Sequence, residues 1–252
     1  MKQTSLFFFC LTFVISLTSC LGDGGNSLIL ASQASVAELS PTQVLYVKGG
    51  DKISSDAFQE ESVKDGACFL VDFSLDYSLV ENAKLAVEET GYYTAEISQL
   101  INVPLWTVSN MSSDTAQILD NEVVISKVET RNVYIQGKLF LFIDMDSQAS
   151  DEEDNYELAY DPTLPTSQDE NGNVVFTLFL RATLKTEGTN TLSSMIIPNA
   201  FTFTSFMDAA REKAGLEANE AVYFRVATLK SYNREANSMT WQKSEILEVT
   251  EQ

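Results

Sequence analysis

Alternation of apolar and polar residues with a period of two dominates much of this chain. Leu139, Leu141, Ile143 and Met145 fall on one face of a predicted strand, with Phe140, Phe142, Asp144 and Asp146 on the other. Phe176, Leu178, Leu180, Ala182 and Leu184 alternate with Thr177, Phe179, Arg181, Thr183 and Lys185, and Val222, Phe224, Val226 and Thr228 make a third set. Shorter strands are predicted at 44–47, 67–75, 123–128 and 133–135. Residues 85–88 and 92–101, flanking Glu89-Thr90-Gly91, predict a hairpin. Asp169-Glu170-Asn171-Gly172-Asn173 contains Asn-Gly, a strong hairpin signal. One late helix is expected at 206–214, with Ser205 and Asp208 at capping-box spacing and Gly215 closing it. Short strands separated by turn signals suggest a mainly β chain of sandwich or barrel type. The polar stretch 110–115 predicts a boundary, with one domain at 28–115 and a second at 116–252.

The N-terminus has a different pattern. Lys2 precedes a mostly apolar run over residues 6–17. A spanning helix needs roughly 20 apolar residues, so this run reads as a signal peptide over residues 1–19. Leu17-Thr18-Ser19-Cys20 resembles the bacterial lipobox: an aliphatic residue, two small ones, then the Cys whose thiol takes a diacylglycerol. Two or more acyl chains give a stable anchor where one gives a marginal one. The expectation is therefore a lipid on Cys20, with residues 20–27 as a lipidated, Gly-rich tether. The predicted address is the cell envelope, at the outer membrane, with its periplasmic or surface face left open.

Composition narrows the chemistry. The 252 residues are 44% hydrophobic, which suits a globular fold, and the formal net charge is −20. So acidic a surface disfavours nucleic acid as a partner. There is no His, which removes Ser-His-Asp and Cys-His catalysis and His-ligated zinc. Cys10 leaves with the signal and Cys20 is lipidated, so Cys68 remains alone and no internal disulfide forms. Cys68 lies in an apolar strand-like run and reads as a small buried hydrophobe without a basic activating neighbour. No cofactor is expected.

Asp144, Asp146, Asp151 and Asp154 belong to an acidic stretch that also holds Glu152, Glu153 and Asp161. It reads as a solvated charged loop, with calcium as the alternative, because six to eight oxygens are what calcium takes. The spacing lacks the Gly and terminal Glu of an EF-hand loop. Tyr92, Tyr93 and Trp106, with Tyr77, are candidate sugar platforms, weighed against ordinary strand packing. Asp114-Thr115-Ala116 resembles a Bacteroidetes O-glycosylation motif, with Thr115 as the acceptor.

Several of these pieces, in order, carry a family resemblance. They are the lipobox ending in Cys20, Lys64-Asp65-Gly66 leading into Cys68-Phe69-Leu70-Val71-Asp72-Phe73, and Tyr92-Tyr93-Thr94-Ala95-Glu96-Ile97. Asn132-Val133-Tyr134-Ile135, Leu139-Phe140-Leu141-Phe142 and Asp169-Glu170-Asn171-Gly172 follow. Together they resemble the NigD-like lipoproteins of Bacteroidetes bacteria. That resemblance implies an N-terminal OB-like barrel, a C-terminal β-sandwich and no established activity. Where relatives often carry Arg-His after the Asn-Gly hairpin, this chain reads Leu180-Arg181-Ala182. The expected function is a non-enzymatic, lipid-anchored envelope lipoprotein acting as an interaction or accessory component. Its partners are the membrane, through Cys20, and an envelope protein or glycan. The alternative is a glycan-binding surface lipoprotein.

Overall fold

A computed structural model of the chain describes residues 26–60, 63–110, 117–236 and 238–251. The signal peptide, Cys20, residues 20–25 of the tether, Thr115 and the 115/116 boundary lie outside these described residues. Among them, no helix is long and apolar enough to cross a membrane.

The chain is mainly β, an OB-like barrel followed by a sandwich. The first sheet comprises β1 (Ser27–Glu38), β2 (Val44–Val47), β3 (Lys52–Ser54), β4 (Cys68–Asp76), β5 (Tyr93–Thr94) and β6 (Glu96–Val103), in the order β5-β3-β2-β1-β4-β6. It curls around Leu45, Ile53, Phe58, Val71, Phe73 and Leu75. Phe58 comes from α1 (Asp56–Glu60). Residues 85–88, expected as a strand, instead lie in α2 (Lys84–Thr90), which ends where Gly91 turns left-handed and donates its N–H to the Val87 carbonyl. Lys84 and Glu88 pair across one turn of it. A four-residue apolar run cannot separate period 2 from period 3.6, and tertiary context chose the helix. The strand expected at 92–101 is split into β5 and β6.

The strands that follow are β7 (Leu105–Thr107), β8 (Glu122–Val123), β9 (Lys127–Ile135), β10 (Lys138–Gln148), β11 (Glu153–Tyr160), β12 (Ser167–Gln168) and β13 (Val174–Thr186). After them come β14 (Ser193–Thr202), α3 (Thr204–Ala214), β15 (Val222–Asn233), β16 (Ser238–Lys243) and β17 (Leu247–Val249). One sheet runs β7-β14-β10-β9, and another runs β11-β13-β15-β16 with β8, β12 and β17 at its margins. β7 belongs to the first predicted unit by sequence but pairs with residues 200–202. Val123 lies in β8 and residues 127–128 in β9, so the single strand expected at 123–128 is interrupted.

These two sheets enclose Leu139, Leu141, Ile143, Leu158, Phe176, Leu178, Leu180, Phe201, Phe224 and Val226. β13 and β15 are parallel, which requires a long crossover, and β14 with α3 supplies it. α3 closes the core with Phe206, Met207 and Ala210. Its N-cap is Phe203, which makes no side-chain cap bond, so the capping box expected from Ser205 and Asp208 is not used. The expected closure at Gly215 is present, in left-handed conformation. The helix start is held by packing, since Phe203 and Phe206 lie 4.6 Å apart between ring centroids and both pack against Phe224.

A third apolar cluster joins the barrel to the sandwich. Val36, Cys68 and Val103 are neighbours across β1, β4 and β6. Val133, Phe140 and Ala200 are neighbours across β9, β10 and β14. The two rows pack together with Ala34, Ile135 and Phe142. β10 is therefore buried on both faces, its Leu and Ile side chains in the sandwich and its Phe side chains against the barrel.

Candidate functional site

The packing of barrel on sandwich leaves an open crevice alongside. One part, about 350 Å³, is lined by Tyr46, Val47 and Gly50 of the barrel and, opposite, by Tyr134 to Gly137, Thr204 and Glu251. A second part, about 320 Å³, lies between Lys48 and residues 130–134 and 248–250. Both are at the lower end of the range for small-ligand sites. Tyr134 lines both parts.

Local structure fixes this wall. Gln136 and Gly137 have φ of 49° and 72°, the left-handed pair that a two-residue hairpin between β9 and β10 requires. The Gly137 carbonyl accepts the Phe203 N–H at 2.9 Å, which seats the start of α3 on the turn. A Cβ at Gly137 would stand 2.6 Å from Thr204 Cγ2.

The polar groups of the crevice are not fully matched. Tyr134 is buried, and its hydroxyl has no hydrogen-bond partner among the described residues. Burial pushes its pKa up to about 12, with Glu251 and Asp208 raising it further and Arg211 opposing them. Arg211 donates from Nη1 to Glu251 at 2.7 Å. Its Nε and Nη2 are buried and unpartnered among the described residues. At the mouth, the Arg131 guanidinium stacks 3.7 Å from the centroid of Phe142. The polar lining that the crevice presents comes from Gln136, Thr204 and Glu251.

The candidate calcium ligands are dispersed. Asp144 faces Lys127 at 3.6 Å. Asp151 accepts from the Thr189 N–H and hydroxyl and from the Asn190 N–H, which hold its pKa down at about 2. Asp154 is buried, accepts from Gln148 and Tyr156, and is pushed up to about 6, chiefly by burial and then by Glu152. Asp146 is exposed on β10. No group of three or more Cys, Asp or Glu among the described residues is placed to hold a metal. Residues 153–160 of the expected loop are strand β11.

The aromatic candidates also separate. Tyr93 meets Tyr77 edge-on at 6.1 Å, at a cavity of about 90 Å³ in the barrel. Tyr92 is half-buried beside it in sequence. Trp106 packs on Tyr156 and donates to Asn199 Oδ1 at 2.8 Å, within the sandwich. Cys68 sits in the interface between barrel and sandwich, where burial pushes its thiol up to about 11.

Sequence reasoning missed Tyr134, Arg211 and Glu251 as a group. Tyr134 stood out only as part of a strand pattern, and the three are brought together by the fold.

Residues 25–101 match the family model of the lipoprotein OB domain. No curated protein matches the chain. A crystal structure of an uncharacterized protein from Parabacteroides merdae has the same fold, at 22% identity and a TM-score of 0.77, over 88% of this chain and 98% of that one. A candidate lipoprotein from Bacteroides fragilis is similar at 10% identity and a TM-score of 0.55, over 88% and 97%. A NigD-like immunity protein from Bacteroides caccae matches at 9% identity and a TM-score of 0.44, over 87% and 92%, a likeness too loose to build on. The N-terminal OB domain implied by the NigD-like resemblance is the domain matched. Residues 25–101 are thus similar to a lipoprotein OB domain, and most of the chain shares the fold of the Parabacteroides protein.

Proposed function

We infer that this lipoprotein is anchored in the outer membrane through a lipid on Cys20 and works by binding, without catalysis, as an interaction or accessory component. The observation that carries the reading is the crevice beside the interface of barrel and sandwich, lined by Tyr134, whose buried hydroxyl has no partner among the described residues. Because an apolar cluster fixes the two domains against each other, the crevice is preformed, and preformed sites lose less entropy on binding. Catalysis without His would fall to paired carboxylates, and Asp144, Asp151 and Asp154 are each engaged by separate partners.

The test is site-specific photo-crosslinking in cells. A photoreactive residue at the exposed Gln136, on the crevice rim, should give a discrete adduct that a probe at the exposed Glu235 does not. The same pattern from both positions, or none from Gln136, would overturn the reading.

A second reading, a glycan-binding surface lipoprotein, draws support from the Tyr77–Tyr93 pair at the barrel cavity. It predicts a glycan-array signal that Tyr93→Ala or Tyr92→Ala removes. Trp106, turned into the sandwich, is not part of that face. Thr115 is proposed as an O-glycan acceptor, to be read by mass spectrometry of the mature protein.

A further inference from the structure

Among the described residues, the most exposed large hydrophobics lie on the segments next to the point where the tether enters the fold, Val80 and Leu85 on adjoining elements and Ile29 on the first strand. Ile29, Val80 and Leu85 are 79%, 80% and 80% exposed, and Leu79 is 43% exposed. Single exposed apolar residues are ordinary, but a cluster calls for a partner. Leu79 and Val80 lead into a short 3-10 turn (Val80–Asn82), which packs against α2, where Leu85 lies in the first turn. Asn82 fixes this segment to the barrel, donating to the Asp76 and Thr94 carbonyls and accepting the Thr94 N–H. Ile29 pairs with Ser74 on the adjoining β1–β4 ladder, its neighbours Leu28 and Leu30 turned into the barrel.

The start of the described chain supplies the geometry. Ser27 pairs with Asp76, and the Asn26 carbonyl accepts the Tyr77 N–H at 2.9 Å. Asn26 is thus held at the head of the apolar segment. Only five residues lie between it and Cys20, a reach of about 20 Å even when fully extended.

We propose that Leu79, Val80 and Leu85, with Ile29, form a membrane-contact surface that rests on the bilayer holding the Cys20 lipid. The proposal rests on that lipid anchor. A tether this short keeps the segment close to the headgroups, so weak individual insertions act at a high effective concentration. Along residues 76–89, which carry Leu79, Val80 and Leu85, Asp76, Glu81, Glu88 and Glu89 outnumber the one cation, Lys84. The contact is therefore with a zwitterionic surface rather than an anionic one. It orients the barrel toward the membrane and sets the sandwich outward.

The experiment uses the full lipidated chain with an environment-sensitive fluorophore on Val80→Cys or Leu85→Cys. Leu192→Cys, 59% exposed on the sandwich side, is the control. Cys68 is buried and leaves the introduced thiol as the accessible one. Each protein is reconstituted in phosphatidylethanolamine–phosphatidylcholine vesicles and recovered by flotation. The expected result is blue-shifted emission at 80 and 85, quenched by spin-labelled acyl chains, with water-like emission at 192. Flotation with a water-like probe at 80 and 85 would overturn the contact while leaving the anchor intact. Failure to float would overturn the anchor and the contact with it. A blue shift insensitive to the lipid quencher and lost on dilution would assign the patch to a second copy instead, and also overturn the proposal.

Discussion

Arg181 and Glu122 form an ion pair closed off from water, with Arg181 Nε donating to Glu122 Oε1 at 2.8 Å and Nη2 to the second oxygen. Arg181 also donates to the Gln117 carbonyl, and Glu122 accepts the Leu119 N–H. The pair thereby ties the segment entering the sandwich to β13. Removing one partner leaves the other charged and buried, which costs about 3–5 kcal/mol. Glu122→Ala should therefore lower the urea midpoint sharply. The double change Glu122→Leu with Arg181→Met should lose far less. Equal losses in the single and double variants would contradict this account.

Asp154 makes stability depend on pH in an unusual direction. Its folded pKa, about 6, lies above the ordinary carboxylate value, chiefly because of burial and then Glu152. The folded state therefore holds a proton that the unfolded state has released between about pH 4 and 6. Stability from this group is present below that window and declines as pH rises through it. The charged form also buries Oδ1 without a donor among the described residues. Asp154→Asn should raise stability at pH 7, by on the order of 2 kcal/mol, and flatten the slope between pH 4 and 6. A thermal-melt series at several pH values reads both.

Gly188 faces Ala149 and Asp151 across the loop that holds the Asp151 hydrogen bonds. A Cβ there would stand 2.4 Å from Ala149 Cβ and 2.8 Å from Asp151 Oδ1. Gly188→Ala should force the loop apart and cost about 1–3 kcal/mol, the usual range for overpacking. Hydrogen exchange at the Thr189 and Asn190 amides should accelerate in that variant. Unchanged exchange would show that the loop absorbs the methyl group.

Cys68 should be inert while barrel and sandwich stay packed. The thiol is buried and its pKa is pushed up to about 11, so little thiolate exists at pH 8. Iodoacetamide should leave it unmodified in the native protein and alkylate it in urea. Rapid labelling of the native chain would mean that the interface opens readily.

Legibility in the sequence followed the length and regularity of each pattern. β10, β13 and β15 carry long alternations and emerged where expected. β1 went unread because Ala, Ser and Gln dilute its apolar face and a register shift between Leu30 and Gln33, with Ser32 at φ 51°, breaks the period. Residues 85–88 read as a strand because four residues cannot fix a period, although they lie in α2. Tyr46, Tyr134 and Glu251 lie far apart in the chain, and only the docking of barrel on sandwich makes them one crevice. The dispersal of the acidic residues was equally invisible, since β11 runs through a stretch that its charge marked as loop.

The burial of β10 on both faces removes a safeguard that most strands possess. A one-residue slip ordinarily exposes apolar side chains and is rejected on that ground. Here a slip would exchange Leu139, Leu141 and Ile143 for Phe140 and Phe142, apolar for apolar, so hydrophobicity alone barely distinguishes the right pairing from the wrong one. Discrimination passes to side-chain shape and to the Gln136-Gly137 turn, whose two residues leave the β9–β10 hairpin one spacing. Lengthening that turn by one residue would give the chain two nearly degenerate ways to assemble its centre, and misassembly during folding would become the protein's main hazard.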